Sequence, residues 1–411
     1  MKKFIYSQNT ICIIMYTLLI FLMYGKSLTV YFVQDDFYFL SFAILPSLKS
    51  ILALFTPQPD VVWFRPISSQ LFFFIAHLLF GYKVVYFHVI VFFTHILAAY
   101  LVYVFVKNLT ANNLIGYISG LIYGLHQIHT LSLSWLATYS FVLGPLLLLL
   151  TFHEYQRKKY VHALLCFTLG ILSLEVIILT PLILISYQLL VGRRLIIKTI
   201  YPYLLIIFVF ILVRMILFPT HVNTYQYAVT FDFGINVLKF YLLRIIGIPL
   251  LFPPLSTGIK VIIVAGAGVI CIGGFLGLVF AFKHNYIERR TVVFLLLSCA
   301  VLLLPFLGLP QHVAPYYESF ALIFWAVLSS IGIYFFTSFF GKKYMQAFLM
   351  VFLMIYMILQ IIGSQWTYAT HWIFRRAVLA EKLIKEKQFS QRIGSEEFFS
   401  LGADAIFKVY K

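Results

Sequence analysis

The stretch VVYFHVIVFFTHILAAYLVYVFV, residues 84–106, decides the fold of this chain because it contains no Asp, Glu, Lys or Arg. A helix rises ~1.5 Å per residue, so a helix of this length crosses the ~30 Å hydrocarbon core of a lipid bilayer. Residues 261–282 form a second uncharged run of similar length. The sequence therefore predicts a chain that passes through a membrane more than once.

The composition agrees with this prediction. Of the 411 residues, 63% are hydrophobic and only 10% are charged, which is too few to cover a water-soluble globule of this size. The net charge of +17 does not indicate a nucleic-acid partner, because the basic residues lie between apolar runs, as expected for anchors on the cytoplasmic side. The four cysteines lie inside apolar runs, which predicts neither a disulfide framework nor a thiolate metal site.

The predicted fold class is an all-α polytopic membrane protein with about eleven transmembrane helices and additional helices in extracytoplasmic loops. The alternation of apolar runs and basic loops places the spans near residues 5–25, 84–106, 113–127, 135–152, 161–174, 176–192, 199–218, 261–282, 291–308, 319–338 and 345–364. The amino terminus is then cytoplasmic and the carboxyl tail is outside. Residues 237–256 contain Lys239, Arg244 and two adjacent prolines, so we expect this segment to be re-entrant or interfacial.

Two regions outside the spans are long enough to carry a site or a separate element. A membrane domain is predicted over residues 1–364, with its largest outside loop at residues 26–82. A short extracytoplasmic tail is predicted over residues 365–411, where HWIFRRAVLAEKLIKEK has the spacing of an amphipathic helix.

The outside loop opens with VYFVQDDFYF, which places Asp35 and Asp36 directly after the first span. Poorly hydrated aromatic surroundings raise the pKa of a carboxyl group and make it a better general base near neutral pH. Adjacent side chains point in different directions, so one Asp can address a substrate while the other orients the structure. The alternative is a solvated pair that caps a helix at the membrane interface.

The same loop contains WFRPISSQ, in which Arg65 precedes a proline suited to the first turn of a helix. A planar guanidinium can bind two phosphate oxygens at once. An arginine at the interface can also simply extend its charge to lipid headgroups.

Further polar residues are predicted at the same outside face, where each is either functional or a packed or snorkelling side chain. They are His126, His129, Glu175, Arg214, His312, Tyr316, Tyr317 and Glu318. His126 and His129 are three residues apart and share a helical face, but no third ligand has a fixed spacing to them, so we expect no metal site.

These motifs, in this order, resemble the type-C (GT-C) membrane glycosyltransferases, the superfamily that includes protein O-mannosyltransferases and lipid A aminoarabinose transferases. The resemblance covers most of the membrane region. It is carried by QDDF at 34–37, WFRPISSQLFFFIAHLLFGYKVVYFHVIVFFTHILAAYLVY at 63–103, LIYGLHQIHTLSLSWLATYS at 121–140 and LSLEVIILTPLIL at 172–184.

The resemblance implies a sugar that arrives on a polyprenyl phosphate and an acidic catalytic base in the first outside loop, here Asp35 or Asp36. It also matches the family's arginine to Arg65, its paired histidines to His126 and His129, and its acidic residue before a proline-bearing helix to Glu175. The chain departs from the family pattern where Gln127, Leu131 and Leu174 replace the expected proline, glutamate and lysine.

The expected function is therefore inverting transfer of a sugar to an acceptor protein, lipid or glycan, with no metal or other cofactor. The donor phosphate is expected to contact Arg65 together with Arg214, Lys239 and Arg244, and the substrates to contact His126, His129, Glu175, Tyr316 and Tyr317. The expected location is a bacterial inner membrane, with the site on its extracytoplasmic side and membrane lipids around it.

Two other functions fit parts of the pattern. A membrane polysaccharide polymerase or ligase would also use a lipid-linked glycan, but would depend on arginines and histidines of a late outside loop. A lipid or solute transporter would instead place its buried charges along a path through both leaflets. The early Asp pair favours the glycosyltransferase.

Overall fold

The computed structural model describes residues 2–43, 51–52, 54–56, 64–217, 235–248, 256–309 and 312–386. In these ranges the chain is helical, which confirms the predicted fold class. The α-helices, numbered in chain order, are α1 (Lys2–Tyr24), α2 (Asp35–Ala43), α3 (Phe72–Phe80), α4 (Val84–Thr110), α5 (Asn113–Gly124), α6 (His129–Ser134), α7 (Ser140–Gln156), α8 (Tyr160–Ile171), α9 (Thr180–Leu190), α10 (Ile197–Leu217), α11 (Ile235–Ile245), α12 (Thr257–Lys283), α13 (Arg289–Leu307), α14 (Ala321–Ser338), α15 (Lys342–Thr370) and α16 (Trp372–Lys385).

Eight helical segments of the described chain are long and apolar enough to cross a membrane, and the protein is an integral membrane protein. They are Gln8–Thr29, Val84–Thr110, Leu136–Gln156, Ile197–Ile216, Thr257–Lys283, Arg289–Leu307, Ala321–Ser338 and Lys342–Thr370. The other three predicted spans are also helices, but α5 and α8 have 12 residues each and α9 has 11. Each is too short to cross ~30 Å of hydrocarbon alone.

The short helices nevertheless carry the chain between the two ends of the bundle. We call the end that carries Asp35 the site end. The chain is at this end after α5, where the Tyr24 hydroxyl donates a hydrogen bond to the His126 carbonyl (2.7 Å). It is there again after α8, where the Ile67 N–H donates to the Leu172 carbonyl (3.3 Å).

After α9 the chain lies at the opposite end of the bundle. The hydroxyl groups of Tyr155, at the end of α7, and Thr199, at the start of α10, are 2.6 Å apart. Arg193, in the turn after α9, pairs with Glu288 in the turn between α12 and α13 (2.6 Å). In the described chain, eight of the eleven predicted spans are helices long enough to cross a membrane, and the other three are short helices that connect the two ends of the bundle.

Two predicted segments lie beside these spans. Helix α11 has 11 residues and overlaps the first half of the segment 237–256, of which residues 249–255 lie outside the described residues. Its re-entrant or interfacial placement stays a prediction. Helix α16 covers most of the amphipathic pattern at 371–387, and residues 387–411 of the tail are outside the described residues.

The centre of the bundle is formed by α4, α5, α7 and α14. In the apolar stretch that includes α7, 78% of the residues are buried, whereas in that of α10 only 11% are. Helix α10 is therefore peripheral and presents most of its apolar side chains to lipid.

Glycines allow the central backbones to approach one another. Gly116 and Gly120 of α5 face the backbone of α4, and a β-carbon on either would collide with the carbonyl oxygen of Tyr103 or Ala99. A β-carbon on Gly332 of α14 would overlap the backbone of Gly274 in α12. Small residues at helix contacts are the usual means of close packing inside a bilayer, where lipid offers no hydrophobic drive to association.

We expect Gly332→Ala to lower the free energy of unfolding by about 1–3 kcal/mol, because the new methyl group forces two helix backbones apart. Gly268→Ala is the matched control, since a β-carbon on this glycine of α12 meets no atom within 4 Å. The control should leave stability unchanged or raise it by up to about 1 kcal/mol. Thermal unfolding in detergent measures both, and a Gly332→Ala protein as stable as the control would contradict the close contact.

Candidate active site

Asp35 and Arg65 line the same cavity at the site end, with a volume of about 100 Å³. The two residues come from widely separated positions of the chain and are brought together by the start of α2 and the turn before α3. The other lining side chains come from α2, from the segment between α6 and α7 together with the first turn of α7, and from the segment between α13 and α14. They are Phe39, Trp135, Ala137, Thr138, Phe141, His312, Tyr316 and Tyr317.

Asp36 is buried and does not line the cavity. One carboxylate oxygen accepts a hydrogen bond from the Val33 N–H (3.0 Å) and the other accepts from the Ala137 N–H (2.7 Å). Ala137 lies in the 3-10 turn Leu136–Thr138, on the cavity wall. Asp36 therefore fastens the first turn of α2 to this wall.

Asp35 is half-buried and occupies the first position of α2. Within the described residues its carboxylate accepts no hydrogen bond. Burial raises the pKa of Asp35 to about 6. Burial also raises the pKa of Asp36, well above its usual range, although the two backbone donors oppose this. Asp35 therefore has the position and the proton affinity of a general base near neutral pH.

Arg65 shares its glutamate with a second arginine. Its Nε donates to Glu175 Oε2 (2.8 Å), and Nη1 of Arg214, near the end of α10, donates to Oε1 of the same carboxylate (3.4 Å). The guanidinium of Arg65 also lies 5.7 Å from the centre of the Phe141 ring. Two arginines around one carboxylate leave a net positive charge beside the cavity, which favours an anionic ligand.

Tyr316 and Tyr317 add two aromatic rings to the lining of the cavity and lie in the 3-10 turn Pro315–Ser319. The ring of Tyr316 packs 4.7 Å from Phe141, and the ring of Tyr317 stacks 4.3 Å from Phe306. This packing fixes the turn against α7 and α13. Aromatic faces beside a cation and a carboxylate are suited to an apolar face of a sugar or to a lipid chain.

His126 and His129 lie in the protein core and do not line the cavity. The Nε2 of His126 is 3.1 Å from the Ile245 carbonyl, and its Nδ1 accepts from the Ile128 N–H (3.3 Å). The ring of His129 packs against the ring of His95, at 4.4 Å. Their predicted contact with substrate stays a prediction. In the described ranges no three His, Cys, Asp or Glu side chains are grouped so that they could hold a metal ion.

Lys239 and Arg244, both in α11, are also absent from the cavity lining. Lys239 is exposed. Arg244 is half-buried near Glu318, and burial raises the pKa of Glu318 well above its usual range while the positive charge of Arg244 opposes this. Among the described residues neither carboxylate oxygen of Glu318 has a hydrogen-bond partner. The predicted contact of Lys239 and Arg244 with the donor phosphate stays a prediction.

Sequence reasoning missed Trp135, Thr138 and Phe141 as cavity residues. All three lie within or just after LIYGLHQIHTLSLSWLATYS, which was selected for its histidines. The signal that could have found them is the Trp-Leu-Ala-Thr turn that separates α6 from α7, since a break between two helices at the site end exposes side chains to the cavity.

The sequence matches no protein-family model and no curated protein. The structure is similar to the crystal structure of the oligosaccharyltransferase of Archaeoglobus fulgidus in the apo form, with a TM-score of 0.52 and 13% sequence identity. The similarity covers 87% of this chain and 56% of the archaeal chain, so the chain spans little more than half of that protein. At this identity the similarity shows the fold alone, and the predicted all-α polytopic membrane fold is confirmed.

The two aspartates should differ in their effect on stability. Asp36→Ala leaves the buried Val33 N–H and the half-buried Ala137 N–H without an acceptor, and a buried donor left in this way costs about 1–3 kcal/mol. We expect Asp36→Ala to lower the free energy of unfolding by at least about 2 kcal/mol. Asp35→Ala, the matched control, should change it by less than about 1 kcal/mol. Equal losses of stability in thermal unfolding would contradict the anchoring role of Asp36.

Proposed function

We propose that this protein is a membrane glycosyltransferase that transfers a sugar from a polyprenyl-phosphate donor to a hydroxyl group of an acceptor protein, lipid or glycan. The observation that carries the proposal is the shared cavity of Asp35 and Arg65, whose lining includes both a carboxylate and a guanidinium group. The fold shared with an oligosaccharyltransferase supports the class of reaction.

In the proposed reaction Asp35 accepts the proton of the acceptor hydroxyl as the oxygen attacks the anomeric carbon of the sugar. The bond between this carbon and the phosphate oxygen breaks, and the polyprenyl phosphate leaves with the bonding electrons. A single displacement of this kind inverts the configuration at the anomeric carbon. Asp36 is proposed to have a structural role and not to act as the base, because both of its carboxylate oxygens already accept backbone hydrogen bonds.

Arg65 is proposed to stabilise the negative charge that develops on the leaving phosphate. A guanidinium has five N–H donors, so it can hold Glu175 through Nε and a phosphate through its terminal nitrogens. Glu175 and Arg214 are proposed to orient Arg65 and to add positive potential. Tyr316 and Tyr317 are proposed to contact the sugar or the first units of the lipid.

The cavity size limits what this arrangement can enclose. A volume of about 100 Å³ holds a phosphate group or roughly three water molecules, at ~30 Å³ for each water. The reacting atoms therefore fit within it, while the rest of the donor and acceptor would lie outside. We propose that the polyprenyl chain stays among the membrane lipids and that the site faces the extracytoplasmic side of a bacterial inner membrane.

Among the other functions considered, a transporter has less support, because Asp35 borders a cavity that also holds an arginine and is not remote from any pocket. A polysaccharide polymerase or ligase keeps one supporting observation. His312, from the late loop on which such an enzyme would depend, lines the same cavity. Acceptors in the assay should therefore include glycans as well as proteins and lipids.

Purified protein in lipid should transfer label from a radiolabelled polyprenyl-phosphate sugar to an acceptor, and Asp35→Asn should abolish the transfer, because an amide cannot take up the hydroxyl proton.

With the pKa of Asp35 at about 6, kcat/KM of the wild type should rise from pH 5 to pH 7 and then level off. The reason is that only the ionised carboxylate can accept a proton. Wild-type turnover in a folded Asp35→Asn protein would end the general-base proposal.

Arg65→Lys should lower kcat/KM for the donor by about 10-fold or more, since a hydrogen bond to a charged group contributes about 1.5–3 kcal/mol and lysine cannot reproduce the planar fork. Donor titrations in matched lipid measure the effect. Arg194→Lys is the control, because Arg194 is exposed in the turn after α9, at the opposite end of the bundle. A headgroup anchor would accept lysine, so unchanged donor kinetics in Arg65→Lys would remove this residue from the site.

A further inference from the structure

Helix α16 is folded back onto the site end of the bundle. It begins directly after α15, where the His371 ring accepts a hydrogen bond from the Ile373 N–H (3.4 Å). The buried residues of α16 lie on one face at helical spacing and are Ile373, Ala377, Ala380, Leu383 and Ile384. An amphipathic helix of this kind often lies flat on the lipid surface, but here its apolar face is covered by protein.

Two contacts join α16 to the active-site segments. Nη1 of Arg376 donates a hydrogen bond to Oε1 of Gln34 (2.6 Å). The Trp372 ring packs edge-on against the Trp135 ring, with centres 5.6 Å apart. The Arg376 guanidinium also lies 4.4 Å from the centre of the Trp372 ring, so the two contacts support each other.

Both partners of α16 adjoin the proposed base. Gln34 directly precedes Asp35, and Trp135 lines the cavity that Asp35 borders. Gln34 has a φ angle of 53°, in the left-handed region, which is unfavourable for a residue with a side chain. A backbone conformation of this kind persists only when its surroundings hold it in place.

We propose that α16 is a brace that holds Asp35 in its catalytic position, with Arg376 and Trp372 as positioning residues. Arg376 holds the strained Gln34 from which α2 starts, and Trp372 holds the cavity wall formed by Trp135. The inference rests on the proposed role of Asp35 as the base. It assigns to the tail helix a function in catalysis without contact with substrate.

The test compares Arg376→Ala with Arg375→Ala, its exposed neighbour on α16. Two readouts are measured on the full-length protein in lipid: hydrogen exchange of the backbone amides at residues 33–37, and the steady-state kinetics of sugar transfer. We expect Arg376→Ala to speed exchange in this segment and to lower kcat by roughly 10–100-fold with little change in the donor KM, because small displacements of a catalytic group are costly. Arg375→Ala should match the wild type in both readouts.

Two further variants separate positioning from general loss of structure. Gln34→Ala removes the other partner of the hydrogen bond, and the double variant Gln34→Ala/Arg376→Ala should lose no more activity than either single variant. Arg376→Lys keeps a cationic donor and should recover part of kcat. If Arg376→Ala does not fold, Arg376→Lys and Trp372→Phe give the same comparison with smaller changes.

Unchanged kcat in folded Arg376→Ala would overturn the brace, as would a loss of kcat without faster exchange at residues 33–37. Additive losses in the double variant would also overturn it. A wild type that transfers no sugar from any donor would instead refute the proposed function. In that case faster exchange confined to the Arg376 and Gln34 variants would still support a brace on this turn, and unchanged exchange would remove it.

Discussion

The structure of the site end depends on one buried carboxylate, that of Asp36. Asp36 accepts hydrogen bonds from two N–H groups that are 104 positions apart in sequence numbering, those of Val33 and Ala137, and so joins the segment after the first span to the break between α6 and α7. Burying a carboxyl group is costly unless it is hydrogen-bonded. Any displacement that breaks the hydrogen bonds to Val33 or Ala137 is therefore unfavourable. The side chain of Asp35 is directed at the cavity because its neighbour is held in this way.

The second requirement of the site is charge balance, because few carboxylates are present to pair with the basic residues: the chain has 13 Asp and Glu against 30 Lys and Arg. Glu175 lies between Arg65 and Arg214, which keeps two guanidinium groups together at the edge of the membrane without full mutual repulsion. A mostly neutralised cluster is easier to keep in a poorly hydrated place than two isolated cations, and its remaining positive charge can still attract an anion. The cluster joins the turn before α3, the turn between α8 and α9, and the end of α10.

The helices and several of the cavity residues could be predicted from the sequence, because a bilayer restricts the length of each span and the places where charges lie. Span lengths and basic loops gave the helices and placed Asp35, Arg65, Glu175, Arg214 and the tyrosine pair at the same end. The roles of the two aspartates could not be separated, since adjacent carboxylates have the same local sequence and differ only in partners a hundred residues away. The histidines were selected because the predicted topology placed them at the same membrane side as the other polar residues. In the structure both are core residues, and Nε2 of His126 lies 3.1 Å from the Ile245 carbonyl.

The short helices beside Glu175 have a consequence for the surrounding lipid. Helix α8 is only ~18 Å long at ~1.5 Å per residue and still exposes Val161, Leu165 and Leu169 to the outside of the bundle. Acyl chains next to it must therefore cover an apolar height well below that of α4 or α12, which is hydrophobic mismatch on one side of the protein. The bilayer is expected to be thinner there, which brings the lipid headgroups closer to Arg65 and Arg214. We therefore expect the thickness of the membrane to affect the site.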